Sequence, residues 1–207
     1  RSLPKLEEVR RSLGQGAHKL TLLQADADDE ASLRRLCGNA RVVVSTVGPY
    51  ALYGEPLVRL CAATGTDYCD LAGETQWMHR MIDTHHAEAE ATGARVVHAC
   101  GFDSIPPELG GWFTQERAVE RFGVPCERIA MRVHHLSGGA SGGSIASIAN
   151  LVEEATKDPA SRALLADPYA LSPEDLRTGP RQTETMRPTR DPETGEWLAP
   201  FVMAAVN

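Results

Sequence analysis

Apolar positions recur along this chain at two different spacings, and the points where the spacing changes mark out its elements. Leu6, Val9 and Leu13 lie on one helical face, opened by Ser2 as N-cap with Pro4 in the first turn and closed near Gly14. Leu20–Gln24 reads as a short strand, followed by a helical stripe of Leu33, Leu36 and Cys37 that Gly38 closes. Val42–Thr46 is the next strand. Leu57, Leu60 and Cys61 then fall at i, i+3 and i+4, with Gly65 placed to end their helix. A strand over Asp67–Leu71 follows, then a helix capped by Thr75 that presents Met78, Met81, Ile82, His85 and Ala89 on one face. Arg95–Ala99 is a fourth strand. Strands alternating with helices at this rhythm predict an α/β fold with a parallel, Rossmann-like, doubly wound sheet.

Past Pro106-Pro107 the rhythm changes. Leu109, Trp112 and Phe113 form the expected core side of a helix running to about Gly123. Ile129, Met131 and Val133 then alternate with polar residues, the mark of a half-exposed strand in a mostly antiparallel sheet. A glycine-rich turn over 137–144 feeds a helix with Ile145, Ile148, Val152 and Ala155 on one face. From Lys157 to Pro200 the pattern is weak and predicts an irregular excursion with short helices. Phe201 to Asn207 reads as an apolar strand. These changes divide the chain into 1–124, a Rossmann-like domain, and 125–207, the start of a smaller α/β domain with an antiparallel sheet.

Composition narrows the choice of function. At 207 residues and 42% hydrophobic the chain can bury a sizeable core. A net charge of -7 without a long basic run argues against nucleic acid as a partner. The longest apolar stretches fall well short of the ~20 residues of a membrane helix. Five dispersed cysteines without a C-x-x-C pair fit reduced thiols in a cytosolic protein. The first residue is Arg rather than Met, and a helix begins almost at once, so the chain reads as an internal fragment.

The chemistry gathers at the strand ends. Gly48-Pro49-Tyr50, Ala72-Gly73-Glu74 and Gly101-Phe102-Asp103 stand at three successive ones. Ligands of open parallel sheets bind outside the carboxyl ends of the strands, and glycine lets backbone approach a flat or phosphorylated ligand closely. A nucleotide-type site is expected there. No G-x-G-x-x-G occurs, although a dinucleotide fold carries it in its first strand-to-helix turn. Arg1-Ser2 would then follow the second strand, where a basic residue accommodates the 2′-phosphate of NADP. Tyr50, Tyr53, Asp70, Glu74, Cys100 and Asp103 are the reactive groups near these turns, any of which could serve as a cap, a core residue or a proton donor. His79, Asp83 and His86 share a helical face but read as solvated, so no metal is expected.

The blocks STVGPYALYGEPLVRLCAATGTDYCDLAGE, HACGFDSIPPELG, SGGSIASIAN and WLAPFVMAAVN together resemble the saccharopine dehydrogenase-like oxidoreductases, nearest to the bacterial trans-acting enoyl reductases. The resemblance weakens only between Lys157 and Arg190. It implies a Rossmann domain binding NADP, with NAD as the alternative, followed by a domain for substrate or homodimer contacts. Arg1 matches the family's arginine after the second strand, with Ser2 beside it, and Asp26 its acid after the third. Val47 and Gly48-Pro49-Tyr50 match the loop beside the nicotinamide. Cys100, Gly101, Phe102 and Asp103 match a loop at the same pocket. Tyr50, Tyr53 and Asp103 are the expected catalytic groups. The implied reaction is reduction of a C=C or C=O group on a small or lipid-like substrate, in the cytoplasm or at a membrane surface. Reductive C–N bond formation of the saccharopine type and a non-catalytic dinucleotide-binding scaffold are the alternatives. The family's first strand–helix unit is missing, which would weaken dinucleotide binding by this chain alone.

Overall fold

The computed structural model describes residues 2–135, 137–139, 141–177 and 187–200. The chain divides into two compact units, one of Arg1–Cys69 with Met81–Val97, the other of Asp70–Arg80 with His98–Asn207.

The first unit is built on a three-stranded parallel sheet in the order β1 (Val42–Ser45), β2 (Asp67–Asp70), β3 (Val96–Val97). Tyr68 pairs with Val96 and Cys69 with Val97. Helix α1 (Leu3–Ser12) precedes a 3-10 turn over Gln15–Lys19, and α2 (Glu30–Gly38) precedes the sheet. Asp29 caps α2 by accepting the Ser32 N–H at 3.3 Å. Between β1 and β2 run a single turn, α3 (Tyr50–Tyr53), and then α4 (Glu55–Thr64), with Pro56 in its first turn. Gly65 ends α4 at φ 70, and a Cβ there would lie 3.2 Å from the Thr92 carbonyl oxygen, so only glycine is free of strain at this position. α4 packs against α2. Val58, Leu60, Cys61 and Ala62 are entirely removed from water, and Leu33 and Cys37 nearly so. Late in α5 (Thr75–Thr92), Thr92 Oγ1 donates to the Ala62 carbonyl at 2.6 Å. Burial of the Cys61 thiol, with Cys37 Sγ 3.7 Å away, pushes its ionisation up.

Three of the four expected parallel strands form. Leu20–Gln24 does not: those residues have no regular structure, and the Leu20 carbonyl accepts from the Arg10 guanidinium at 3.3 Å. A strand exists by its neighbours. In the order 3-2-1-4-5-6 this segment holds the third place, whose one neighbour is the second strand, and β1 holds the fourth, between the first strand and β2 in the fifth place. No described residue fills the first or the second place. The face of β1 bearing Val42 and Val44 is left exposed, at 45% and 65%.

The second unit opens with the turn after β2. Its long helices are α6 (Ile105–Phe122), closed by Gly123 at φ 74, and α7 (Gly142–Lys157), capped by Ser141 Oγ accepting the Ser144 N–H at 3.1 Å. Asp158 caps the short α8 (Pro159–Leu165) through the Ala160 and Ser161 N–H groups. The antiparallel sheet is a hairpin of β4 (Thr189–Arg190) and β5 (Trp197–Leu198). Asp191 closes it: its Oδ1 accepts the Glu193 N–H at 2.8 Å, and its carbonyl accepts the Gly195 N–H at 2.8 Å. The Glu193 N–H holds the Asp191 carboxyl below the usual carboxylate range, and Arg132, paired with it, adds to the effect.

The sequence placed the antiparallel strand elsewhere. Residues 127–135 carry no strand, and Ile129, Met131 and Val133 stay 40–52% exposed, because no described segment pairs with them. Leu109, Trp112 and Phe113 are not a core side either; they are 54%, 63% and 56% exposed. The expected strand over 201–207 lies outside the described residues.

Candidate functional site

Each strand of a parallel sheet aims its carboxyl end at the same edge, and the turns there do the chemistry. After β1, Val47 is exposed and the Gly48-Pro49 peptide, which is cis, leads straight into α3. Tyr50 is 6% exposed, and its hydroxyl donates to the Ser45 carbonyl at 3.1 Å, tying the turn back to the strand it leaves. Tyr53, one turn on, is 45% exposed. Asp26 is exposed and accepts the Asp28 N–H at 3.1 Å. Ser2 stands in extended backbone ahead of α1 without a side-chain cap bond. Arg1 lies outside the described residues.

In the second unit the turns after β2 and β3 close around one carboxylate. Alternation along β2 puts Tyr68 and Asp70 on one face, and the register Tyr68–Val96, continued by one further pair on that face, sets His98 beside Asp70. Asp70 has no exposed surface. Its Oδ1 accepts the Ala72 N–H at 3.0 Å and the Ala99 N–H at 3.1 Å, and its Oδ2 lies 2.7 Å from His98 Nδ1. The Asp70 carbonyl accepts the Cys100 N–H at 2.7 Å. To wrap the carboxylate this way Ala99 adopts φ 54, a left-handed conformation uncommon for alanine. A buried carboxylate is costly unless hydrogen-bonded on every side, and these donors meet that need. Trp77, fully buried, sets its ring edge-on to the imidazole at 5.0 Å between centroids.

The remaining expected groups take other roles. Glu74 is buried and accepts from Ser147 Oγ at 2.8 Å. Cys100 Sγ lies 3.7 Å from the His98 carbonyl oxygen. A Cβ at Gly101 would meet the Leu71 side chain at 3.6 Å, Phe102 is 63% exposed, and Asp103 is half-buried in the turn before α6. His98 is the residue that sequence reasoning missed. The signal was there: Asp70 and His98 end neighbouring parallel strands on the same face, 28 residues apart.

The fold and these turns define a dinucleotide-type domain, and comparison with known proteins says which. Residues 1–97 match the sequence model of the family described as Saccharopine dehydrogenase NADP binding domain. Over its whole length the chain is 43% identical to a Mycobacterium tuberculosis protein provisionally named a trans-acting enoyl reductase. It is 40% identical to the trans-acting enoyl reductase of Mycobacterium bovis and 39% to that of Mycobacterium leprae, again over its full length. The chain spans about half the length of these curated relatives, 51% of each. No solved structure matches.

The donor set present fits part of such a cofactor. Asp26, exposed and acidic, suits a ribose hydroxyl, and the backbone turn at Gly48 suits the close approach of a flat ring. The glycine fingerprint that cradles a pyrophosphate does not occur in the sequence. Among the described residues no helix is long and apolar enough to cross a membrane.

Proposed function

We propose that the protein is an NADP-dependent reductase acting on a C=C or C=O group of a lipid-like substrate. The observation that carries this reading is the strand-end chemistry of a saccharopine dehydrogenase-type NADP-binding domain, in a chain similar over its full length to trans-acting enoyl reductases. Arg1 and Ser2 stand for the 2′-phosphate side of the cofactor, Asp26 for a ribose, and Val47, Gly48, Pro49 and Tyr50 for the nicotinamide side. Cys100, Gly101 and Phe102 stand for further cofactor contacts, and Tyr50, Tyr53 and Asp103 for the catalytic groups. The cofactor supplies a hydride when bound; the residues orient the acceptor and shield it from water.

Turnover with NADPH, then NADH, on a short α,β-unsaturated acyl thioester tests the proposal. Consumption of NADPH well ahead of NADH, with the saturated thioester as product, is the expected result. NADPH consumption only with an amino acid and a keto acid together would show C–N bond formation instead. Changing Arg1 to Asp is expected to weaken NADPH use by roughly one to two decades, the worth of a charge-assisted hydrogen bond, and to spare NADH.

A further inference from the structure

Adding hydride to an unsaturated acyl group leaves a carbanion or enolate that must take up one proton. A group at the reacting end has to hold that proton, and solvent has to reach the same group to recharge it. The geometry points to Tyr53 as that group, with Tyr50 and Ser45 as the residues that position it. This inference rests on the reductase reading above and divides the work between its two tyrosines.

Ser45 ends β1, Tyr50 opens α3 and Tyr53 closes it, so the three bracket the Gly48 turn and all belong to the first unit. Ser45 grips the turn at both ends. Its Oγ accepts the Val47 N–H at 3.5 Å, and its carbonyl accepts the Tyr50 hydroxyl at 3.1 Å. A phenol has one hydrogen to donate, and in buried Tyr50 a backbone carbonyl takes it. That hydrogen serves the clamp and not an acceptor outside. The Pro49 carbonyl in turn accepts the Tyr53 N–H at 3.2 Å, and the Tyr50 carbonyl accepts the Gly54 N–H at 2.7 Å, which fixes where Tyr53 leaves the backbone. The Tyr53 side chain meets the opposite conditions. It is 45% exposed, and no described residue bonds its hydroxyl. A phenol so placed is open to a bound acceptor and to the water that recharges it.

The step balances. The acceptor gains two electrons and one hydrogen at its β-carbon from NADPH, which the proposed activity names and which is oxidised to NADP⁺. The C=C π pair moves to the α-carbon. The Tyr53 O–H bond breaks as the new C–H bond forms there, leaving a phenolate. Solvent then returns one proton to the phenolate oxygen. The Tyr50 hydroxyl keeps its hydrogen throughout.

Two measurements on the intact protein need neither substrate nor cofactor. Tetranitromethane nitrates exposed phenols, and peptide mapping by mass is expected to find Tyr53 modified well ahead of Tyr50. Tyr50 modified first overturns the assignment. Tyr50→Phe removes only the clamp and is expected to speed amide hydrogen exchange across residues 47–53. Exchange at the wild-type rate overturns the positioning role. Thioester reduction by NADPH then separates the two tyrosines. Tyr53→Phe changes an exposed side chain, so it is expected to fold as the wild type does. Its kcat is expected to fall by about 10²-fold or more, the usual worth of a general acid, with KM for NADPH little changed. Tyr50→Phe is expected to act the other way. It raises KM for NADPH by about two- to tenfold, the worth of one neutral hydrogen bond, and lowers kcat less than Tyr53→Phe does. Wild-type kcat in Tyr53→Phe overturns the assignment, and so does a Tyr50→Phe variant that loses kcat as deeply as Tyr53→Phe. Absence of thioester reduction in the wild type would instead sink the reductase reading, and nitration and exchange would still decide whether the clamp exists.

Discussion

The two units use apolar side chains in opposite ways. In the first, α4 hides Val58, Leu60, Cys61 and Ala62 completely. In the second, α6 buries Ala118 alone, while Leu109, Trp112, Phe113 and Phe122 stand 54–69% exposed. Helix α7 goes further. It turns its polar positions inward, where Ser147 donates to Glu74 and Glu154 accepts from Gln76 Nε2 at 3.0 Å and from Asn150 Nδ2 at 3.2 Å. Its apolar stripe of Ile145, Ile148 and Val152 is 44–59% exposed. An apolar stripe at helical spacing therefore says that a helix has two faces; it does not say which face is covered. The polar side of α7 goes inward because buried Glu74 and Gln76 need partners, and an unpaired buried polar group costs more than an exposed isoleucine.

The largest expected effect separates the two units by truncation. Leu60→Ala removes a side chain with no exposed surface and is expected to cost about 2–5 kcal/mol in urea unfolding. Phe113→Ala, in α6, is expected to stay near the ~0.5 kcal/mol typical of surface changes. Equal losses at the two sites would erase the contrast between the units. Replacing Trp112, Phe113 and Ile148 by Glu sharpens the same point. Exposed apolar surface of this extent binds hydrophobic dyes and promotes association. The triple variant is expected to bind less of such a dye and sediment as a smaller species than the wild type, with its unfolding midpoint little moved. Unchanged dye binding would mean that these side chains are covered in solution.

The same contrast explains what was readable in the sequence. The stretch from Val42 to Ala89 was legible because local signals agree there: an apolar run, a helical stripe, a left-handed Gly65, then another strand. Leu20–Gln24 and Ile129–Val133 failed for a shared reason: alternation or an apolar run is a property of a segment, while a strand is a property of a pair. The hairpin of β4 and β5 went unseen because it is held by the Asp191 turn and not by apolar periodicity. At the site, the strand-end turns and Asp70 were legible by residue type. His98 was not, since a histidine closing an apolar strand looks like core until the neighbouring strand places a carboxylate against it.

Acid gives the smallest effect, and one whose sign is fixed. One depressed aspartate from each unit makes the comparison. Asp67 in the first is lowered by the Arg95 side chain, whose backbone N–H also donates to Oδ1 at 2.9 Å. Asp191 in the second is lowered chiefly by the Glu193 backbone N–H. A depressed folded-state value means that the unfolded chain binds the proton more readily. Each carboxylate therefore contributes stability that is complete above the ordinary aspartate value of 3.8 and lost as pH falls through the lower folded value. The partners then predict a difference in salt. Arg95 is 76% exposed, so the Asp67 contribution is screened. The Asp191 contribution comes mainly from a backbone donor next to it in the turn, beside a side chain that is only 3% exposed, and is expected to persist. Unfolding midpoints of Asp67→Asn and Asp191→Asn against wild type at pH 6, in low and high salt, check this. The Asp67→Asn deficit is expected to shrink in salt and the Asp191→Asn deficit to hold. Both deficits are expected to narrow as pH drops below 3.8, because the wild-type carboxyls then lose their charge as well.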